Sequence, residues 1–231
     1  MSKRWESWTG LVGLALIVGG HYVGLFVAPP EAMMGDVGRI LYAHVPTAWV
    51  GLVAYLAAFI AAIGAMVTGR ATWDALVEAT VEVGLLLNVL LLIQGSVWAK
   101  PTWGVYWTWD PRLTTSAIMV VSFGAVLALR RQIDDPVRRL TLSSVATIIA
   151  FVNVPVVYMS VRWWRTIHQD FSSPETVSSA MVTPLRTAAF GMLFLATSFV
   201  VRRWRLGLKA LEAEFEAPDL PEPVAPLRIE E

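Results

Sequence analysis

The chain has 231 residues, of which 56% are hydrophobic and only 16% are charged, and its mean hydropathy is +0.58. A soluble domain usually carries about a quarter of charged residues, so this composition indicates a membrane protein. The formal net charge is zero, so no overall electrostatic field attracts nucleic acid. The absence of cysteine excludes disulfides, cysteine-ligated zinc, iron–sulfur clusters and C-x-x-C-H haem attachment within the chain.

Six apolar segments are each long enough to cross a bilayer, which takes about 20 residues of helix. The first follows Lys3 and Arg4, as in a signal peptide, but its apolar run is longer and no A-x-A-like site follows it, so we predict an uncleaved span. The predicted fold is therefore all-α, a polytopic membrane protein with six transmembrane helices. The predicted spans lie near 8–28, 47–68, 75–97, 114–130, 139–160 and 184–201.

Lysine and arginine are about twice as frequent at the termini and in the second and fourth loops as in the other three loops. The positive-inside rule then predicts that both termini lie in the cytoplasm. The outer loops would be about 29–46, 98–113 and 161–183. We assign 1–209 to the membrane domain and predict that the acidic, proline-rich tail 210–231 is disordered.

The second predicted outer loop begins with 98-WAKPTWGVYWTWDPRLTTS-116, which holds four tryptophans and a tyrosine. Two of the three histidines, His44 and His168, fall in the other two outer loops, so the topology predicts that they share this face. His21 lies within the first span, where we expect a hydrogen bond between helices.

Two histidines with no cysteine or carboxylate at metal-site spacing make a poor zinc site, but they could form an axial pair for haem. Haem also needs an aromatic surface for its ring and cations for its propionates. The predicted platform comprises Trp98, Trp103, Tyr106, Trp107 and Trp109. The candidate cations are Arg39, Lys100, Arg112 and Arg165.

Simpler interpretations of these residues stay open. The tryptophans are equally compatible with an interfacial belt, and Asp110 and Arg112 with a structural pair that fixes a turn. Inside the spans, we expect asparagine and glutamine side chains to serve helix packing. We expect the acidic side chains of the third span to pair with arginines of the inner loops. These polar span residues are Asp74, Glu78, Glu82, Asn88, Gln94 and Asn153.

The stretch 103-WGVYWTWDPRLTTS-116 resembles the tryptophan-rich "WWD" signature of the membrane proteins that handle haem in cytochrome c maturation. Together with 39-RILYAHVP-46, 152-VNVPVVYMSVRWWRTIHQ-169 and 184-PLR-186, it makes the chain resemble the cytochrome c maturation protein C family, also called haem exporter protein C. The resemblance extends from Arg39 to about residue 201.

The resemblance implies a protein of the cytoplasmic (inner) membrane that holds non-covalent haem b in transit at its outer, periplasmic face. It implies that His44 and His168 are the axial ligands and that the tryptophan segment, with Asp110, is the platform. The implied partners are a membrane-tethered haem chaperone, the subunits of an ATP-binding-cassette transporter and a small single-span protein, and nucleic acid is not among them.

No catalytic nucleophile or ATP-binding motif stands out, so we expect a haem-transfer scaffold rather than an enzyme. A transport subunit that moves haem or another solute is one alternative, and it would need a polar path across the bilayer. A b-type electron-transfer subunit is another, although its ligand histidines usually lie within the spans.

Overall fold

The computed structural model describes residues 4–169 and 178–216, and these form helices joined by short turns. Six of its helical segments are long and apolar enough to cross a membrane, which confirms the predicted all-α, six-span architecture. Among the described residues the only β-structure is an isolated bridge between Glu31 and Gly35. The helices are α1 (Arg4–Tyr22), α2 (Leu41–Thr68), α3 (Ala71–Trp103), α4 (Pro111–Arg130), α5 (Pro136–Phe151), α6 (Asn153–Trp163) and α7 (Ser179–Glu216).

Local chemistry explains two irregular segments. The fifth span is divided into α5 and α6 at Val152, because Pro155 has no N–H to bond with the carbonyl of Phe151. The first span ends in a π-helix, Val23–Val27, and a 3₁₀ turn, Asp36–Ile40, leads into α2.

Helices α2 and α3 lie at the centre of the bundle, where α3 contacts α2, α4 and α7. The stacked rings of Tyr55 and Phe123, with centroids 3.6 Å apart, form the middle of the main apolar core. Helix α1 packs mainly against α7. Their backbones meet at glycines, since a Cβ on Gly13 would lie 2.8 Å from the carbonyl oxygen of Gly191. Such close approach between small residues is typical of membrane helix pairs.

One end of the bundle is held by ion pairs between helices, and we call it the arginine end. The buried Arg130 donates to both carboxylate oxygens of Asp74, at 2.7 and 3.1 Å, and also contacts Glu78 at 3.3 Å. Glu82 accepts two hydrogen bonds from Arg203 of α7. The acidic residues of the third span therefore pair with arginines, as predicted, but the partners lie in helices α4 and α7 rather than in the inner loops.

The helices extend past three of the predicted boundaries. Helix α3 continues to Trp103 and α2 begins at Leu41, so both helices extend into segments that we expected to be outer loops. Pro101 does not end α3, because its missing N–H costs only one bond in the last turn, and the helix ends at Gly104, whose φ is 80°.

Helix α7 also continues into the segment that we predicted to be a disordered tail, 210–231. Helix α7 reaches Glu216 because Leu211 is buried beside Ala71 and Ala75 and Glu214 pairs with Arg139 at 2.6 Å. The predicted disorder of the remaining tail, 217–231, lies outside the described residues.

Candidate functional site

The opposite end of the bundle carries His44 and His168, and we call it the histidine end. At this end, the loop between α3 and α4 ends at Asp110, which is the N-cap of α4. The Oδ1 atom of Asp110 accepts a hydrogen bond from the backbone N–H of Arg112 at 2.9 Å, and Pro111 occupies the first helical position. Asp110 thus caps the helix through the backbone of Arg112, whereas the sequence suggested a pair between the two side chains.

The same carboxylate connects the tryptophan segment to the segment that carries His168. The hydroxyl of Thr166 lies 2.7 and 2.8 Å from the two oxygens of Asp110, and the N–H of Ile167 donates to Oδ2 at 2.9 Å. The N–H of His168 donates in turn to the hydroxyl of Thr166 at 3.0 Å. Only 8% of Asp110 is exposed, so these bonds are shielded from water. Asp110 therefore fixes where His168 lies.

The imidazole of His168 has a defined tautomer. Its Nδ1 lies 2.7 Å from the carbonyl oxygen of Gln169, so Nδ1 carries the proton and donates it. The Nε2 atom consequently keeps its lone pair. Burial lowers the pKa of His168 below its usual value, and the charge of Arg112 lowers it further, against the opposing effects of Gln169 and Asp110. The ring is therefore neutral at neutral pH, which is the state that binds a metal.

His44 lies in α2, close to its first residue, rather than in a loop as the sequence predicted. Its ring meets the indole of Trp98 edge to face, with centroids 5.4 Å apart. Its Cε1 atom rests against Gly95, where a Cβ would lie 3.2 Å away. The Nδ1 atom is buried without a hydrogen-bond partner among the described residues. His168 and Arg112 are close enough to act electrostatically on this ring, so both histidines lie at the same end of the bundle.

The predicted platform residues divide into two groups. Trp98 and Trp103 belong to the last turns of α3, and Trp98 packs on an apolar cluster that includes Tyr42 and Leu185. Its Nε1 is buried without a partner in the described part of the chain. The loop residues are more exposed. Tyr106 and Trp109 are 61% and 81% exposed, and Trp107 meets Trp109 edge to face with centroids 5.9 Å apart.

Three of the four candidate cations already have protein partners. Arg39 pairs with Asp36 and donates to the carbonyls of Gly24 and Ala28, which joins the end of the first span to the start of α2. Lys100 donates to the carbonyl of Gly104 at 2.9 Å and lies over the ring of Tyr106. Arg112 donates to the carbonyls of Val157 and Tyr158. Arg165 is exposed. Contact with propionates stays a prediction for all four residues.

The structure also adds residues that the sequence did not indicate. Thr166, Gly95 and the carbonyl of Gln169 contact the two histidines or the carboxylate between them. Thr166 gives no signal in the sequence, because its partner Asp110 is 56 residues away. His21 does not join two helices as expected, since its Nδ1 bonds the carbonyl of Ile17 within α1 at 2.8 Å.

Comparison with known proteins places this chain in a family. Residues 1–217 match the family model described as "Heme exporter protein C". The chain belongs to the haem exporter protein C family. The match confirms the resemblance found in the tryptophan and histidine segments. With its six spans, this member of the haem exporter protein C family is a multi-pass membrane protein.

Individual relatives match over most of both chains. The heme exporter protein C of Escherichia coli is 32% identical over 201 residues, which are 86% of this chain and 81% of that protein. That of Bradyrhizobium diazoefficiens is 31% identical over 209 residues, 88% and 79% of the two chains. An Arabidopsis thaliana protein named as a putative cytochrome c biosynthesis ccmC-like mitochondrial protein is 28% identical over 203 residues, 87% and 75%.

Proposed function

We propose that the protein binds haem at the outer face of the cytoplasmic membrane and presents it to a membrane-tethered haem chaperone during maturation of c-type cytochromes. Membership of the haem exporter protein C family supports this proposal, as does the name of the plant relative. The observation that carries it is the pair of histidines at one end of the bundle. His168 keeps the Nε2 lone pair, and the Nδ1 atom of His44 has no hydrogen-bond partner within the described residues.

These residues fit haem. Its iron accepts two axial imidazoles, and its porphyrin is a flat apolar ring that rests well on aromatic side chains. In this proposal His44 and His168 supply the imidazoles, Trp98 shapes the wall beside His44, and the exposed Tyr106 and Trp109 cover the ring. The cations at the histidine end, Arg165 among them, orient the propionates. The chain has no cysteine for thioether attachment, and in this proposal the haem is held non-covalently.

The chain acts by positioning haem rather than by making bonds, so we propose that it is not an enzyme. The partners in this proposal are the chaperone, the subunits of an ATP-binding-cassette transporter and a small single-span protein. Most polar side chains of a possible path across the bilayer bond within the protein, and the exceptions among the described residues are the buried Oε1 of Gln94 and Oδ1 of Asn88. Glu78 and Glu82 pair with arginines, Asn88 bonds the carbonyl of Gly84, and Asn153 bonds the carbonyl of Thr115.

A b-type electron-transfer subunit is the second candidate function, and one observation favours it. His44 is part of a span in the structure, as the ligands of such cytochromes usually are. Transfer of haem to the chaperone distinguishes the two functions. A presenting protein gives its haem to the co-expressed chaperone, whereas an electron-transfer subunit keeps it and cycles reversibly between oxidation states.

We expect His44→Ala and His168→Ala each to lose one axial bond and to change the optical spectrum of the haem in the purified protein. Imidazole should restore the spectrum in part, because it fills the vacant position. The matched control is His21→Ala, which should leave the spectrum nearly unchanged, since His21 bonds within its own helix. Loss of haem from His21→Ala, with a normal spectrum in His168→Ala, would contradict the ligand assignment.

The membrane orientation is a separate prediction. Reporter fusions after Arg70, after Arg131 and at the C-terminus should report the cytoplasm, because basic loops are retained there. Fusions near Gly35, Gly104 and Ser173 should report the periplasm. A periplasmic C-terminus would place the histidine end in the cytoplasm and exclude delivery at the outer face.

A further inference from the structure

The two histidines of the site are held in different ways. We propose that His168 is the ligand that stays on the iron and that His44 is the ligand that is exchanged when haem leaves. This proposal rests on the proposed function, and it adds the order in which the two histidines release the haem. His168 would hold the haem more firmly than His44, so His44 would be the first of the two to give up its bond.

The backbone around His168 is fixed by three consecutive residues. The hydroxyl of Thr166 and the N–H of Ile167 donate to the buried carboxylate of Asp110, and the N–H of His168 donates to Thr166. Hydrogen bonds to a charged acceptor are about twice as strong as neutral ones. Asp110 is itself fixed as the N-cap of α4, so the position of His168 is tied to a span.

The ring of His168 is also supported on the side away from the metal. Its Nδ1–H donates to the carbonyl oxygen of Gln169 at 2.7 Å. A hydrogen bond of this kind fixes the tautomer and the orientation of a ligating imidazole and raises its basicity. Losing such an outer partner typically lowers metal affinity by about 10–100-fold.

The ring of His44 has no such support within the described residues. It is held by packing against Trp98 and Gly95, and Nδ1 is buried without an acceptor. When Nε2 binds a metal, Nδ1 must carry a proton that donates to nothing, and an unpaired buried donor is unfavourable. His44 is therefore the weaker of the two imidazole ligands.

The tautomers can be tested on the haem-free protein. The chain has three histidines, so ¹⁵N-histidine labelling in detergent gives three rings, which His21→Ala, His44→Ala and His168→Ala assign. We expect His168 to be an Nδ1–H tautomer with an unprotonated Nε2, and His44 to show a mixture of both tautomers. A fixed Nδ1–H on His44 together with a mixture on His168 would overturn the proposal.

Haem retention tests the order of the two ligands. After haem loading and gel filtration, His44→Ala should retain about tenfold more haem than His168→Ala, within the range for an outer hydrogen bond. Equal retention, or more haem in His168→Ala, would overturn this proposal while leaving haem binding intact. A wild-type protein that binds no haem would instead refute the proposed function itself.

Variants of Thr166 test whether its hydroxyl holds His168 in place. Thr166→Val removes the bonds to Asp110 and His168, and we expect retention to fall towards that of His168→Ala and to recover with imidazole. Thr166→Ser should retain haem as the wild type does. The matched control is Thr115→Val, because the hydroxyl of Thr115 bonds the carbonyl of Pro111 within α4. Normal retention and a normal spectrum in Thr166→Val would show that His168 is not held in this way.

Discussion

Replacing Asp74 with Ala is expected to lower the free energy of unfolding by about 3 kcal/mol, the lower end of the range for breaking a buried ion pair. Asp74 is fully buried and Arg130 is 5% exposed, so the change leaves a guanidinium without its main partner. Glu78 and Ser143 still contact Arg130, which limits the loss. The measurement is unfolding of the detergent-purified protein by heat or denaturant.

The control for this prediction is Glu82→Ala. Glu82 and Arg203 are 26% and 43% exposed, so their pair is worth only about 0–1 kcal/mol. The double variant Asp74→Ala with Arg130→Met should recover much of the lost stability, because it removes the unpaired charge as well. Equal unfolding midpoints for Asp74→Ala and Glu82→Ala would show that the buried pair does not hold the arginine end together.

The second large effect is expected at the histidine end. Asp110→Ala removes the acceptor for Arg112, Thr166 and Ile167 in one change. We expect haem retention to fall by about 10–100-fold, the range for losing the groups that orient a metal ligand. Added imidazole should restore part of the spectrum, since the aromatic platform and His44 stay in place.

Asp135 provides a matched control for Asp110. It is the N-cap of α5, it precedes Pro136, and it accepts a bond from the N–H of Arg138 at 2.5 Å. Asp135→Ala should therefore lose only the cap, about 1 kcal/mol of stability, and retain haem normally. If both variants lose haem equally, capping alone explains the effect, and Asp110 has no special role in placing His168.

Some of this structure follows directly from the sequence. The length of the apolar runs predicts the six spans. The charge bias predicts that His44 and His168 share one end, and both lie at the same end of the bundle in the structure. The ion pairs of Asp74 and Glu82 were predictable because carboxylates at membrane depth need partners.

Other features could not be predicted, for physical reasons. The proline and tryptophans of 98–103 favour a loop, but α3 continues through them because a proline in a last turn removes a single bond. The contact between Asp110 and Thr166 depends on how α4 and α6 pack, and a single tertiary contact leaves no periodic trace in a sequence. The helical position of His44 was also not predictable, because it depends on the 3₁₀ turn, Asp36–Ile40, that leads into α2.

The length of α3 has a mechanical consequence. The helix has 33 residues, and it carries Asp74 near one end and Trp98 and Trp103 at the other. At about 1.5 Å per residue, Asp74 and Trp103 are about 44 Å apart, so a tilt of about 5° at Asp74 would move Trp103 by about 4 Å. If α3 moves as a rigid body, a small tilt at one end becomes a larger displacement at the other. Because one helix carries both residues, a tilt of α3 at Asp74 would also displace the indole of Trp98 relative to His44.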